Sequence, residues 1–299
     1  MSRQGNGVTN IWQVWWLAIR PKTLPAAASG VVMGCALAWM NHSFQILPAF
    51  AALGVALLLQ MGSNVANDVY DFERGADTSE RYGPLRVTQA GFLNPVQMKR
   101  GMWIIFSCAV FIGFYLAYLH GWLVIVLGVA AIASAIAYTG GPFPLGYYGL
   151  GDLFVFIFFG LMCVAGTYYV QTGLVSLAAW WMSVPIGLMV TDILVVNNLR
   201  DLEHDHVAHK HTLAVLIGER WTRIQYVVLM AASFLLLPVL IWSGVLPAST
   251  LLAWFSLPLA WRSTQLVLTQ RGRPLNAALA GTGQAALAFS LLFFIGVLL

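Results

Sequence analysis

The sequence predicts an all-α membrane protein, a bundle of about nine transmembrane helices. Three observations carry this. Hydrophobic residues make up 60% of the 299 positions and charged residues 9%, and the mean hydropathy is +0.78; soluble domains carry about a quarter charged residues. The apolar residues form continuous runs without strand-like alternation, so each run satisfies its own backbone as a helix. The fifteen Lys and Arg fall in four groups, with long uncharged stretches between them.

Taken in order, the runs are 23–41, 46–68, 98–119, 122–138, 153–170, 178–198, 222–242, 246–266 and 276–299. "NHSFQ" joins the first two and "HG" the third and fourth, so both pairs are tight hairpins. Pro185 and Pro258 are the main interruptions deep in a run. Residues 1–22 precede the first run and carry Trp12, Trp15 and Trp16, an interfacial segment at the membrane surface. The whole of 1–299 reads as one polytopic domain, and "PAAASG" at 25–30 opens a run instead of ending one, unlike an export-signal cleavage site.

The basic groups are Arg3, Arg20 and Lys22; Arg74, Arg81, Arg86, Lys99 and Arg100; Arg200, Lys210, Arg220 and Arg223; and Arg262, Arg271 and Arg273. With nine runs, all four groups share one face. The positive-inside rule makes that face cytoplasmic, with the N-terminus inside and the C-terminus outside. The net charge of +4 follows from these loops and gives no reason to expect a nucleic-acid partner. Cys35, Cys108 and Cys163 stand singly in apolar stretches, as packing residues do.

Two polar clusters interrupt the apolar pattern on that face: "NDVYDFERGAD" at 67–77 and "NNLRDLEHD" at 197–205. Asn67 and Asp71 are one helical turn apart; Asn197, Asp201 and Asp205 repeat the spacing, and the two clusters are offset by 130 positions. Carboxylate and amide oxygens in this pattern suit a hard cation such as Mg²⁺, which takes one or two carboxylates and completes its shell with water and phosphate. Basic residues nearby suit the remaining charge of a diphosphate. A polyanionic head with an oily tail, bound at the membrane edge, fits the setting. Solvated polarity at helix ends is the alternative for either cluster alone.

These residues resemble the two aspartate-rich motifs of the UbiA superfamily of intramembrane prenyltransferases. "RPKTLPAAASG" at 20–30, "GPLRVTQAGF" at 83–92 and "YTGGPFPLGYYGLGD" at 138–152 resemble the branch that acts on 1,4-dihydroxy-2-naphthoate. The resemblance implies helices around a central cavity in a bacterial cytoplasmic (inner) membrane. It also implies Mg²⁺-dependent transfer of a polyprenyl chain from polyprenyl diphosphate, with loss of CO₂ and diphosphate, giving demethylmenaquinone. Two Mg²⁺ ions would bridge to the diphosphate. By the same resemblance Asn67, Asp71, Asp201 and Asp205 are metal ligands, with Asp68 and Asp77 near the metal through water. Arg20, Arg86 and Lys210 match positions facing the diphosphate or the acceptor carboxylate. Tyr138 and Thr139 end the fourth run beside the site, and a tyrosine face there suits an allylic cation. Tyr148 and Asp152, with Tyr147, belong to a loop over the acceptor. Asn198 and Arg200 orient the second cluster.

The sequence departs from the family at His209, where glycine is common before the lysine, and its loop carries His204, His206, His209 and His211. Irregular spacing argues against zinc there. Acceptors of related enzymes, 4-hydroxybenzoate or haem, stay open, as does a secondary transporter with intramembrane acids. Asp192 lies nine residues before Asp201, so it sits deeper and on the opposite side of the helix. It is expected to bond a neighbouring helix as a neutral acid, to line the acceptor pocket, or to face water.

Overall fold

The computed structural model describes residues 10–76 and 82–299. The regular structure there is helical. Asp77, Arg81 and Arg3 fall outside the described residues.

The chain enters through α1 (Ile11–Ile19), capped by the Asn10 side chain. It is not a helix resting on lipid alone. Val14 and Ala18 join a core with Val65 and Val69 of α3 (Ile46–Glu73) and Met98 and Met102 of α4 (Pro95–His120). Trp15 reaches so close to Gly101 that a Cβ there would meet its ring at 2.1 Å. Trp12 and Trp16 are exposed on the other face. Arg20 then takes a left-handed conformation, φ 52°, uncommon for a residue with a Cβ. The chain turns there through a short 3₁₀ stretch, Pro21–Thr23, into α2 (Leu24–Met40).

The remaining runs follow the expected order. α3 packs along α4, and α5 (Trp122–Ala137) leans on both. The fifth run is irregular: α6 (Gly151–Val155) passes through a π-helix, Phe156–Met162, into α7 (Cys163–Thr172). α8 (Leu177–Val207) is the most enclosed long helix; it contacts α2, α7, α9 (Leu213–Trp242) and α11 (Leu275–Leu298). α9 breaks at Gly218, φ 79°, so residues 213–217 form a separate short piece, with Leu216 against Gly149. The eighth run begins as a 3₁₀ stretch, Ala248–Ser256, and continues as α10 (Leu257–Thr269). Pro258 is therefore no interruption. It stands in the first turn of α10, where a missing N–H leaves no helical bond unmade.

Among the described residues seven helical segments are long and apolar enough to cross a membrane, counting Ile11–Met40 as one, and Trp122–Ala137 is a shorter apolar helix. The run at 246–266 is not among them, because its helix proper is 13 residues long.

Candidate functional site

A cavity of about 510 Å³ opens within the bundle. Its walls come from α2, α3, α4, α5, the fifth run and α8. One end is polar, lined by Arg20, Asn67, Asp71, Arg86, Tyr138, Thr139, Asn197, Asn198 and Lys210. The rest is mostly apolar, with Val55, Leu59, Ile132, Phe158, Phe159 and Met162 among its lining. The π-helical turn supplies the last three of these. Such turns recur where a helix wall is shaped for function.

Asp71 is the hub of the polar end. Its carboxylate is buried and receives the Arg86 guanidinium at 2.9 Å, the Tyr147 hydroxyl at 2.8 Å and, more loosely, the Lys210 ammonium at 3.7 Å. Arg86 comes from the loop after α3, Lys210 from the loop after α8, and Tyr147 from the loop after α5, so four segments meet at one carboxylate. Asn67, one turn back, accepts a hydrogen bond from the Thr139 hydroxyl at 3.1 Å. The Thr139 carbonyl accepts from Arg74 at 2.9 Å, fixing the end of α5 to the end of α3.

Asp68 faces away from this group. Its two oxygens accept from the backbone N–H groups of Val87 and Thr88, at 3.0 and 3.1 Å. It is buried and does not line the cavity. The loop it holds is the one that delivers Arg86.

The second cluster is wired differently. Arg200 donates to both oxygens of Asp201, at 2.9 and 2.6 Å, and both side chains are buried. The same guanidinium donates to Asn197 and to Asn276 on α11. Asp201 does not line the cavity; Asn197 and Asn198 do. Both Asp201 oxygens are taken by the neighbouring Arg200 guanidinium. Asp205 lies near enough to act electrostatically on the Tyr138 phenol, as do Asp152 and Asp71.

Tyr138 lines the cavity, and its ring fits because its neighbours are glycines. A Cβ at Gly151 would sit 2.9 Å from the Tyr138 hydroxyl. Of the adjacent tyrosines, Tyr147 enters the site. Tyr148 is half exposed and stacks on Phe143 at 4.1 Å. Asp152 accepts a hydrogen bond from Gln225 at 2.6 Å and is not part of the cavity lining. His204 meets Tyr82 edge to face, and no metal-holding group of three or more His, Cys, Asp or Glu occurs among the described residues.

The reading of the sequence missed a polar ladder up α3. Asn64 donates to the Ile19 carbonyl and the Thr23 hydroxyl, both at 2.9 Å, and Gln60 donates to Thr23 at 3.1 Å. Gln60 and Asn64 line the cavity below Asn67 and Asp71. The signal was present: positions 60, 64, 67 and 71 follow the 4-3-4 spacing of one helix face.

Oxygen donors beside three basic side chains suit a hard divalent cation held jointly with a phosphate. Residues 27–280 match the UbiA prenyltransferase family. The chain belongs to the UbiA prenyltransferase family. It is 36% identical over 296 residues to a 1,4-dihydroxy-2-naphthoate octaprenyltransferase of Haemophilus influenzae, covering 96% of each chain. It is 38% identical over 278 residues to the protein of that name from Mycobacterium tuberculosis, covering 93% of this chain and 94% of the other. The human UbiA prenyltransferase domain-containing protein 1 is 31% identical over 273 residues, covering 88% of this chain and 80% of that one. Among solved structures, a UbiA homolog from Archaeoglobus fulgidus bound to GPP and Mg²⁺ superposes with a TM-score of 0.67 at 12% identity, over 96% of this chain and all of the other. That likeness concerns the fold. The UbiA chain described here is a multi-pass membrane prenyltransferase.

Proposed function

We propose that this UbiA enzyme transfers a polyprenyl chain from polyprenyl diphosphate to 1,4-dihydroxy-2-naphthoate, releasing diphosphate and CO₂ and forming the hydroquinone of demethylmenaquinone, which yields demethylmenaquinone on later two-electron oxidation. The naphthoate acceptor rests on the names of relatives that match over nearly the whole chain. The observation that carries the chemistry is the cavity itself: a basic and acidic head above an apolar shaft.

The diphosphate lies at the polar end, against Arg20, Arg86 and Lys210. Bound there, Mg²⁺ supplies charge neutralisation on the leaving diphosphate. Asp71 and Asn67 would hold it from the first cluster. Asp205 and Asp201 would complete the binding from the second, Asp201 after it turns from Arg200. Arg86 and Lys210 shift from Asp71 to phosphate oxygens as the substrate enters, exchanging one anion for another. The Tyr138 ring faces the allylic carbon as the carbon–oxygen bond to diphosphate weakens and positive charge grows there. The ring carbon of the acceptor that bears the carboxylate forms the new bond, and its carboxylate leaves as CO₂. The tail occupies the apolar shaft beside α5. That helix has no buried residue, so one flank faces the cavity and the other the lipid.

The site belongs on the cytoplasmic face of a bacterial inner membrane, with the N-terminus inside and the C-terminus outside, on the charge distribution of the loops. The test uses purified enzyme, polyprenyl diphosphate, Mg²⁺ and carboxyl-labelled 1,4-dihydroxy-2-naphthoate. Stoichiometric release of labelled CO₂ and diphosphate is expected. Consumption of 4-hydroxybenzoate or haem in its place would overturn the acceptor.

A further inference from the structure

Tyr147 lies where three cytoplasmic segments meet, and nothing in its sequence surroundings separates it from Tyr148. Its hydroxyl donates to one oxygen of Asp71 at 2.8 Å, while Arg86 donates to the other at 2.9 Å. Its ring has the Arg74 guanidinium 5.6 Å from its centre and the Lys210 ammonium at 5.0 Å. Its carbonyl accepts from the backbone N–H of His211, the residue after Lys210, at 3.1 Å. The side chain of Leu216 closes over Gly149, two residues on, where a Cβ would meet it at 2.8 Å. The loop after α5 and the loop after α8 are therefore joined through Tyr147, and both are joined to α3 through Asp71.

We infer that Tyr147 is a positioning residue of the head-group site: its hydroxyl sets the orientation of the Asp71 carboxylate, and its ring seats Lys210 beside that carboxylate. A carboxylate that binds a metal through one lone pair commonly accepts a hydrogen bond on another, and that bond fixes the direction of the metal-binding lobe. The ring does a second job. A lysine has four rotatable bonds and reaches many positions; a cation held over an aromatic face is confined to one. Lys210 is 3.7 Å from Asp71, longer than a close ion pair, so it is poised to turn toward a phosphate without breaking a tight contact. The hydroxyl and the ring thus act on different ligands, the metal and the diphosphate. Two substitutions separate them.

This inference rests on the reading of Asp71 as a metal ligand. The test measures Mn²⁺ binding by electron paramagnetic resonance on the full chain in lipid nanodiscs, with inorganic pyrophosphate present. Tyr147→Phe keeps the ring and loses the hydroxyl. It is expected to raise the Mn²⁺ dissociation constant about tenfold, with the thermal midpoint unchanged and, at saturating Mg²⁺, the KM for polyprenyl diphosphate unchanged. Tyr147→Leu loses both; it is expected to show the same metal defect and, in addition, a KM for polyprenyl diphosphate raised about fivefold, equivalent to about 1 kcal/mol. Tyr148→Phe, on the exposed stack, is expected to bind Mn²⁺ like the unaltered protein. If Tyr147→Phe binds Mn²⁺ normally while Asp71→Asn does not, the role of the hydroxyl is overturned and the metal reading stands. If Tyr147→Leu leaves KM unchanged, the seating of Lys210 is overturned. If Asp71→Asn itself binds Mn²⁺ normally, the metal reading falls and this inference with it.

Discussion

The two polar clusters share a spacing and differ in what holds them. Asp71 draws its partners from elsewhere in the chain: Arg86, Lys210 and Tyr147 each arrive on a separate segment. Asp201 draws its partner from the adjacent residue, Arg200, which also takes Asn197 and reaches across to Asn276. The first arrangement is a meeting point whose partners can leave singly as a substrate takes their place. The second ties α8 to α11 through Arg200, and Asp201 has to leave that guanidinium before it can serve a metal. Equal spacing in a sequence fixes which side chains share a face. It does not fix which of them is free to change partner.

The sharpest way to break this comparison is Asp71→Ala. If Asp71 holds the metal, turnover falls about 10³-fold, about 4 kcal/mol of transition-state stabilisation, while the protein stays folded in the membrane. Near-normal turnover at saturating Mg²⁺ would remove Asp71 from the chemistry. Asp201→Ala is expected to act first on stability. It leaves the buried Arg200 guanidinium without its counter-charge, a loss of about 3 kcal/mol, at the low end because Asn197 and Asn276 remain as acceptors. The midpoint of thermal unfolding in detergent checks this, and the double variant Arg200→Met with Asp201→Leu is expected to recover most of the loss. A protein as stable as the parent with Asp201→Ala alone would show that the clamp is not structural.

Arg86 and Arg262 sharpen the contrast at a smaller scale. Arg86 is buried against Asp71 and lines the cavity; Arg262 is exposed on α10. Arg86→Ala is expected to raise the KM for polyprenyl diphosphate about tenfold, about 1.4 kcal/mol, and Arg262→Ala to leave it unchanged. Steady-state kinetics of the two variants side by side decide this. Equal constants would reduce Arg86 to another basic anchor at a helix end.

How much of this was legible depended on scale. The order of the crossing segments followed from runs of apolar residues, a signal that needs no partner to be read. The irregular turns at Phe156–Met162 and Ala248–Ser256 were not legible, because π and 3₁₀ turns use the same apolar residues as an α-helix and depend on what packs beside them. At the site, positions 67 and 71 announced a face, but for Asp68 next door the resemblance implied contact with the metal through water, and its backbone partners were not legible. Only the fold brings the backbone of Val87 and Thr88 under it. Tyr147 and Tyr148 are chemically identical in the sequence, and the short turn at Leu145–Tyr147 alone decides which one points inward. Gln60 and Asn64 were readable from spacing and were overlooked because a long apolar run surrounds them.

The smallest effect belongs to the residue that looked strangest. Asp192 stands on α8, nine residues before Asp201, and is fully buried. It does not line the cavity. The expectation of a hydrogen bond to a neighbouring helix is not met: neither of its oxygens finds a partner among the described residues. A carboxyl group held this way costs stability, since water satisfied both oxygens before folding. The gain from removing it is therefore a matter of transfer alone. Asp192→Leu, similar in size and apolar, is expected to raise the unfolding midpoint or leave it level, as replacement of buried polar groups by apolar ones commonly does. Asp192→Asn keeps the shape and an unmade set of hydrogen bonds, so it is expected to stay within about 1 kcal/mol of the parent. Turnover is expected to be unchanged in both, because Asp192 faces away from the cavity that holds Asn197 and Asn198. A steep loss of turnover in a folded Asp192→Asn protein would overturn this and make the deep face of α8 part of the acceptor chemistry. It would also mean that the second cluster's helix works through the side opposite its clamp.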